Sequence, residues 1–371
     1  MRRSFIALAV AIAVGVCVGL AAQAPSTGPY SIVKTEKVGG LGGFDYVHAD
    51  VVGRRIYIPR GAVQGATPTP ARVSVWDLDT LKPIGEIPDI RGNGAVIDPK
   101  SGHGFTSSKP VAMFDTKTLK LIKMIDEQGQ GDGILFDPFN ERVWVFNHPT
   151  QDATVINAKD GTVVGTVALD GVPEQSVSDG KGRVYVVIQD KANVAVVDAK
   201  ALKTIAHYDF AEKASRCNGL ALDAKNHVLF AACGQSGNPP VTPAQPMMVV
   251  LNATDGKIIT TLPLAGGSDG AVFNPATMEV FSSHGNGTMT IVKEKSPTTF
   301  EVEQNLQTMA GAKCLSLDTK TNRIVTMAAE YGPAPPPPPP DPNAPAGGAR
   351  RGGRGPMLPD SFTLLLIGKG K

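Results

Sequence analysis

DPFNERVW, at residues 137–144, joins a tight turn to the start of a short apolar strand. The side chains of Asp and Asn accept hydrogen bonds from nearby backbone N–H groups, and Pro fixes its own φ, so this composition favours a turn. Short apolar strands flank such turns, for example AVI at 95–97 before one and VWVF at 143–146 after another. The pattern predicts a β-hairpin.

The same turn recurs along the chain. Its first residue is an Asp or an Asn, at Asp50, Asp98, Asp137, Asp179, Asp223, Asn274 and Asp318. Neighbouring copies stand 39 to 51 residues apart. A second strand pair with its own turn follows, as in VSVWDLDTL at 73–81 and VAVVDAKAL at 194–202. Four strands per unit at this period is the pattern of a β-propeller blade.

We therefore expect an all-β protein, a seven-bladed β-propeller with four antiparallel strands per blade. A solenoid of the same repeats is the alternative, but the ends of the repeat array favour a closed ring. The last repeat stops after one strand of its second pair, at 361–367, and an orphan strand at 31–38 precedes the first repeat. Pairing these two strands would complete the last blade and remove an exposed sheet edge.

Residues 1–24 are predicted to be a signal peptide. Arg2 and Arg3 precede an apolar run at 5–22 that ends in small residues, as in an export signal. A membrane anchor is the alternative, but the run is barely long enough to span and no basic cluster follows it. The arginine pair also resembles a twin-arginine signal, so the export route stays open. We expect residues 25–371 to form one periplasmic or secreted domain, monomeric and without a membrane span.

The charge of the mature chain argues against one class of partner. Removal of Arg2 and Arg3 takes the basic count from 36 to 34, against 34 acidic residues. A neutral chain has no strong field to recruit nucleic acid or a membrane surface. Aromatic residues, on which bases stack, make up only 6% of the sequence. Nucleic-acid binding is therefore not the function we expect.

The repeats resemble those of the YVTN-repeat propellers, the YncE-like family of exported bacterial proteins. The resemblance covers roughly residues 30–370 and rests on the Asp-Pro turns, on strands such as RVYVV at 183–187, and on segments of the VAVVD type. It implies a propeller in the periplasm or outside the cell. Some relatives are linked to nucleic-acid binding or to redox enzymes, but the repeats encode the scaffold and transfer neither activity.

A polar residue stands where the innermost strand of each predicted blade begins. These residues are Asp45, Asn93, Asp132, Gln175, Asn218, Asp269 and Lys313. In a propeller the connections into the innermost strands share one face with the loops between the second and third strands. We expect the set to converge there as a ligand-binding ring. Asn-Gly and Asp-Gly are also ordinary turn formers, so a purely structural role is the alternative.

Asp45, Asp132 and Asp269 are the candidate metal ligands of this ring. Carboxylate oxygens suit Ca²⁺ or another hard divalent cation, the one cofactor that the motifs suggest. Lys313 argues against a symmetric metal cage, and it could instead pair with an anionic ligand or with a neighbouring Asp.

His148 and His284 end the second strands of the third and sixth blades and join the candidate binding residues. Imidazole is a metal ligand and a base near neutral pH, although a loop histidine is often merely solvated. The sequence contains no haem-attachment motif, phosphate loop or nucleophile elbow. We therefore assign no catalytic residue.

Three long insertions, at 61–72, 236–246 and 333–359, fall between second and third strands and hence on the face of the ring. The last is rich in Pro, Gly and Arg, a composition that predicts disorder. Its basic part could instead bind an anion, a polysaccharide or nucleic acid.

Cys217 and Cys233 begin and end one predicted hairpin and come nearly opposite each other by residue counting. A cross-strand disulfide is expected in an oxidising compartment, and two buried thiols are the alternative. Cys314 would remain single.

The leading functional hypothesis is a non-catalytic protein that holds a small ligand, a glycan or a protein partner on its loop-rich face. The alternative is a metal-assisted lyase or lactonase that uses the Asp/Asn ring, by analogy with other propellers. Nucleic-acid binding, as in some YncE-like proteins, is the third hypothesis.

Overall fold

The computed structural model describes residues 27–64, 68–127, 129–236, 245–334 and 355–370. Within these ranges the protein contains strands β1–β28 and no helix, arranged as seven sheets of four antiparallel strands. The predicted seven-bladed propeller is therefore confirmed. The predicted signal peptide and most of the 333–359 insertion lie outside the described residues.

The chain begins with β1 (Tyr30–Lys37), which belongs to the last blade. Blade one contains β2 (His48–Asp50), β3 (Arg55–Arg60), β4 (Arg72–Asp77) and β5 (Pro83–Pro88). Blade two contains β6 (Ala95–Asp98), β7 (His103–Thr106), β8 (Val111–Asp115) and β9 (Lys120–Ile125). Blade three contains β10 (Gly131–Asp137), β11 (Arg142–Asn147), β12 (Asp152–Asn157) and β13 (Val163–Ala168).

Blade four contains β14 (Pro173–Ser178), β15 (Arg183–Ile188), β16 (Asn193–Asp198) and β17 (Lys203–Asp209). Blade five contains β18 (Ala214–Asp223), β19 (Val228–Ser236), β20 (Met247–Asn252) and β21 (Ile258–Pro263). Blade six contains β22 (Ser268–Asn274), β23 (Glu279–His284), β24 (Thr288–Ser296) and β25 (Thr299–Gln307). Blade seven contains β26 (Leu315–Asp318), β27 (Arg323–Ala328) and β28 (Thr363–Lys369), with β1 as its outermost strand.

The repeated turn motif connects the first and second strands of each blade. Its leading carboxylate accepts backbone N–H groups two residues later, as Asp98 does from Lys100 at 2.9 Å and Asp318 from Lys320 at 3.1 Å. These bonds replace ladder partners that the turn removes. The turn then passes through a left-handed residue such as Asn322, at φ 55°.

The core lies between blades, where the second and third strands are covered on both sides. In β15 every residue after Arg183 is buried, whereas the outermost strand β17 alternates between exposed and partly buried residues. Trp144 of blade three and Val186 of blade four share one apolar cluster. Full burial of such a side chain contributes roughly 1.5–3 kcal/mol, which explains the continuous apolar runs of the middle strands.

β1 completes blade seven by pairing with β28 from Tyr30 opposite Lys369 to Lys37 opposite Thr363. Gln304 of blade six clamps the first residue of β1, because its side chain accepts the Tyr30 N–H at 2.9 Å and donates to the Tyr30 carbonyl at 2.9 Å. The N-terminal strand is thus held by two neighbouring blades.

Candidate ligand and metal site at the channel mouth

One face of the propeller collects the connections into the innermost strands and the loops between second and third strands. Backbone hydrogen bonds join the two kinds of segment, as between Asn93 and Ser107 at 3.2 Å and between Gln189 and Val172 at 2.9 Å. The three insertions connect β3 to β4, β19 to β20 and β27 to β28, so they leave from this face. We call the axial opening on this face the mouth.

β-Bulges aim polar side chains at the mouth. The strand register shifts between Gly131 and Gly133, between Cys217 and Gly219, and between Ser268 and Gly270. The residues inside these three bulges are Asp132, Asn218 and Asp269. An extra residue in one strand bends it and re-aims a side chain.

The glycines after the bulges allow the inner strands to approach each other closely. A Cβ on Gly219 would stand 2.8 Å from Ser268 Oγ and 3.0 Å from the Gly270 carbonyl carbon. A Cβ on Gly270 would meet Leu315 at 2.9 Å. Gly219 beside Asn218 and Gly270 beside Asp269 are therefore needed by the crowded axis.

In one part of the mouth, a lysine side chain pairs with two carboxylates. Lys313 Nζ lies 2.9 Å from Asp45 Oδ1 and 3.2 Å from Asp269 Oδ2. Burial opposes the charge of Lys313, but the two carboxylates beside it outweigh burial and hold the lysine pKa above its ordinary value. We call Asp45, Asp269 and Lys313 the lysine half.

In the part of the mouth formed by blades three and four, a histidine instead of a lysine lies beside two carboxyl groups. His148 Nε2 lies 3.2 Å from Asp132 Oδ2 and 3.7 Å from Glu174 Oε1. These three side chains bring their ligand atoms within 4.8 Å of one another, the one such group found among the described residues. We call Asp132, His148 and Glu174 the histidine half.

Neutral side chains hold the carboxylates of the histidine half. Asn93 donates to Asp132 Oδ1 at 2.6 Å, and the Tyr46 hydroxyl donates to Asp132 Oδ2 at 3.3 Å. Gln189 donates to Glu174 Oε1 at 2.6 Å and to Asn218 Oδ1 at 3.1 Å.

The two halves form one network. Asn218 donates to Asp269 Oδ1 at 3.3 Å and also accepts from Gln189. Every blade contributes a side chain to the resulting ring of contacts.

Glu174 is the member of the site that sequence reasoning missed. It is only 7% exposed, and burial together with the charges of Asp132, Asp269 and Asp45 raises the pKa of its carboxyl to about 8. It directly precedes Gln175, the residue that the sequence pattern placed in the ring for blade four. The register of β14 shifts between Pro173 and Ser176, so a bulge turns two successive polar side chains inward where a regular strand would show one.

Gln175 lies across the channel and not in the ring of contacts at the mouth. Its Oε1 accepts the backbone N–H groups of Leu220 at 2.9 Å and Ala271 at 2.8 Å, and its Nε2 donates to the Ala271 carbonyl at 2.8 Å. The channel beyond it has a volume of about 580 Å³ and is lined by innermost strands of all blades. Gln175 therefore ties blade four to blades five and six.

His284 is placed away from the mouth network. It is fully buried, its Nδ1 lies 2.9 Å from Thr288 Oγ1, and burial lowers its pKa to about 4. A neutral histidine enclosed in this way is a structural side chain. His284 ends β23 and aligns with Asn147 of blade three, whereas His148 stands one residue further on, beside two carboxylates.

The expected metal ligands are divided between the two halves. Asp45 and Asp269 contact Lys313, and Asp132 lies with His148 and Glu174. The lysine ammonium thus occupies the place that a metal ion would need between the first two.

The cysteines lie beside the mouth in blade five. Cys217 and Cys233 face each other across β18 and β19 and form a disulfide. Cys314 is a free, buried thiol whose Sγ lies 3.7 Å from Asp45 Oδ1. Burial and the Asp45 charge raise the pKa of this thiol, which keeps it protonated.

In the described part of the chain, no helix has the length and apolar character needed to cross a membrane. No protein-family model matches the chain, and no curated protein matches it.

Solved propellers match the fold. The crystal structure of RRP9 WD40 repeats is similar with a TM-score of 0.67 at 7% identity, covering 93% of this chain and 99% of that one. The structure of U3-55K gives a TM-score of 0.67 at 7% identity, covering 92% and 99%. A chain in the crystal structure of the mitotic checkpoint complex gives 0.65 at 9% identity, covering 88% and 94%. At such identities the likeness concerns the fold alone.

Proposed function

We propose that this protein is an exported binding propeller that holds a small ligand, a glycan or a protein partner at the mouth. The observation that carries the proposal is the single polar network to which every blade contributes. Four carboxylates, those of Asp45, Asp132, Glu174 and Asp269, face one lysine there. An excess of acid focused in a concave opening favours a ligand with a positive or hydrogen-bond-donating group.

The compartment belongs to the same proposal. The N-terminal sequence has the features of an export signal, and a disulfide in blade five suits an oxidising environment. The repeats resemble those of YncE-like exported propellers, and the solved WD40 structures show the propeller fold alone. One of the similar chains is part of an assembly, the mitotic checkpoint complex, which supports a protein partner as one form of ligand.

A metal-assisted lyase or lactonase is the second candidate, and one observation favours it. Glu174, whose pKa is raised to about 8, lies 3.7 Å from His148. A carboxyl group whose pKa is raised toward neutral pH, placed beside an imidazole, is the kind of pair that proton transfer requires. Nucleic acid is the least favoured ligand, because the mouth is acidic.

The proposal is tested by ligand-induced stabilisation. We would measure the Tm of the purified protein with polyamines, amino-sugar oligosaccharides, neutral oligosaccharides and aldonolactones, and follow lactone hydrolysis in parallel. A ligand at about 100 times its Kd adds about 2.7 kcal/mol, or roughly 4 °C in Tm for a chain of this size.

Two variants locate the binding site. Gln189→Leu breaks the centre of the network and should abolish the shift, whereas Lys225→Ala, in a turn on the opposite face, should retain it. A shift that survives Gln189→Leu would place the ligand elsewhere. A panel without any stabilising compound would contradict the small-ligand and glycan forms of the proposal, and turnover of a lactone would establish the enzyme.

A further inference from the structure

Three segments of the chain converge on one point of the mouth. Asp132 lies in the bulge of β10, His148 follows β11, and Glu174 lies in the bulge of β14. Their ligand atoms all lie within 4.8 Å of one another. Each side chain comes from a rigid strand or from the residue that ends one, which fixes the three donors relative to one another.

The histidine nitrogen is the informative atom. His148 Nε2 is buried and has no hydrogen-bond partner, although Asp132 Oδ2 is only 3.2 Å away. The two atoms therefore approach each other without the angle that a hydrogen bond needs. A buried polar nitrogen left without a partner is unfavourable, and an ion between the two atoms would satisfy it.

We propose that Asp132, His148 and Glu174 bind one divalent metal ion of the zinc class, with a fourth position open to water or to the ligand of the mouth. The inference rests on the proposed function, because it names what the histidine half of that binding site holds. In a tetrahedral zinc site, ligand atoms stand about 3.4 Å apart, as bond lengths near 2.1 Å require. The observed separations of 3.2 and 3.7 Å bracket that value.

The chemical types of the three ligand atoms favour zinc over calcium. Calcium takes six to eight oxygen ligands at about 2.3–2.6 Å, whereas this group offers one imidazole nitrogen and two carboxylates. Zinc and neighbouring transition metals accept imidazole and carboxylate ligands together, and catalytic zinc sites combine three protein ligands with an open position. The proposed ion is therefore a borderline metal, where the sequence suggested a hard cation.

The surroundings pre-organise the ligands. Asn93 and Tyr46 hold Asp132, and Gln189 holds Glu174. Outer partners of this kind fix the orientation of ligating groups. The side chains of His148 and Asp132 remain 33% and 18% exposed, so an ion can enter from solvent.

The test is zinc titration of the untagged protein after removal of metal with a chelator. Competition with a chromophoric chelator gives stoichiometry and Kd, and Co²⁺ gives the geometry from its visible absorption. We expect one zinc per chain, a tetrahedral cobalt spectrum, and no comparable binding of Ca²⁺. Glu174→Gln and Asp132→Asn keep the side-chain shape and should weaken zinc binding by more than about 100-fold, since even outer-partner changes cost 10–100-fold.

Asp269→Asn is the matched control, since it removes a mouth carboxylate from the lysine half. Because the Asp269 charge acts on Glu174 only through space, the zinc affinity of this variant should change far less than that of Glu174→Gln, and circular dichroism verifies that all variants fold. Equal affinity in Glu174→Gln and wild type, equal loss in Asp269→Asn, or a preference for Ca²⁺ would overturn the inference. If the protein binds zinc but no organic compound stabilises it, only the organic-ligand proposal is contradicted. If it binds an organic ligand in a way that depends on Gln189 but does not bind zinc, only the zinc proposal is contradicted.

Discussion

Both halves of the mouth bring carboxyl groups together, but different side chains face those groups in the two halves. In the lysine half, Lys313 lies between Asp45 and Asp269 and neutralises them from within the chain. In the histidine half, Asp132 and Glu174 face His148, and no lysine or arginine of the described residues forms an ion pair with them. The difference indicates that the lysine half is a structural clasp, and it leaves the histidine half as the part of the mouth in which we propose a bound ion.

The largest effect on stability is expected when the lysine half loses its ammonium group. Lys313→Met leaves Asp45 and Asp269 facing each other without their shared cation, and should lower the free energy of unfolding by about 2–3 kcal/mol. Urea denaturation measures the change. The double variant Lys313→Met/Asp269→Asn should recover part of it, because it removes the repulsion as well.

A surface ion pair provides the control for this experiment. Lys100 pairs with Glu141 on the opposite face, where both side chains are largely exposed. Lys100→Met should leave the unfolding curve unchanged, because solvent screens such pairs. Equal stability of Lys313→Met and wild type would show that the lysine half is not a clasp.

The next effect is a pH dependence confined to the histidine half. The pKa of Glu174 is about 8 in the folded protein, where it faces Asp132, His148, Asp45, Asp269 and Lys313. Between its ordinary value of about 4.5 and pH 8, the folded state binds a proton that the unfolded state has released. Stability therefore falls as pH rises through this window, by about 1–2 kcal/mol for this group.

Glu174→Gln removes that titration. Measured in the presence of a chelator from pH 5 to 9, the variant should show a shallower decline in stability than the wild type. Parallel curves would contradict the environment assigned to Glu174. Glu141→Gln, which removes an exposed carboxylate on the opposite face, serves as the comparison and should keep the decline of the wild type.

A smaller effect is expected from the outer partner of Asp132. Asn93→Ala removes the hydrogen bond to Asp132 Oδ1 and should weaken zinc binding about tenfold, in the range found for outer-shell changes. Asn218→Ala, whose side chain contacts Asp269 and Gln189, is the matched amide and should change zinc affinity by less. A larger loss of zinc affinity in Asn218→Ala than in Asn93→Ala would show that the two halves are not distinct.

The smallest effect is expected at His284. Since it is buried beside Thr288 and away from the two halves, His284→Gln should bind zinc as the wild type does. His148→Gln, one residue beyond the corresponding position of blade three, should lose it. Titration of both variants separates the two histidines that the sequence treats alike.

The repeats made the fold predictable, and the bulges limited prediction of the site. Period, turn composition and apolar strands define blades, since each is a local property of the sequence. Asp132, His148 and Lys313 were recognised because each stands at the start or the end of a strand. Glu174 was missed because strand alternation predicts one inward residue, whereas a bulge in β14 supplies two. His284 is buried because it takes the ladder position that the buried Asn147 has in blade three, one residue before the position of His148.

The most direct test of the central claim is anomalous diffraction from crystals of the metal-free protein soaked in zinc, with data collected on both sides of the zinc edge. The account predicts one strong peak about 2.0–2.2 Å from His148 Nε2 and from one oxygen each of Asp132 and Glu174. A peak between Asp45 and Asp269, or no peak in the histidine half, would contradict it.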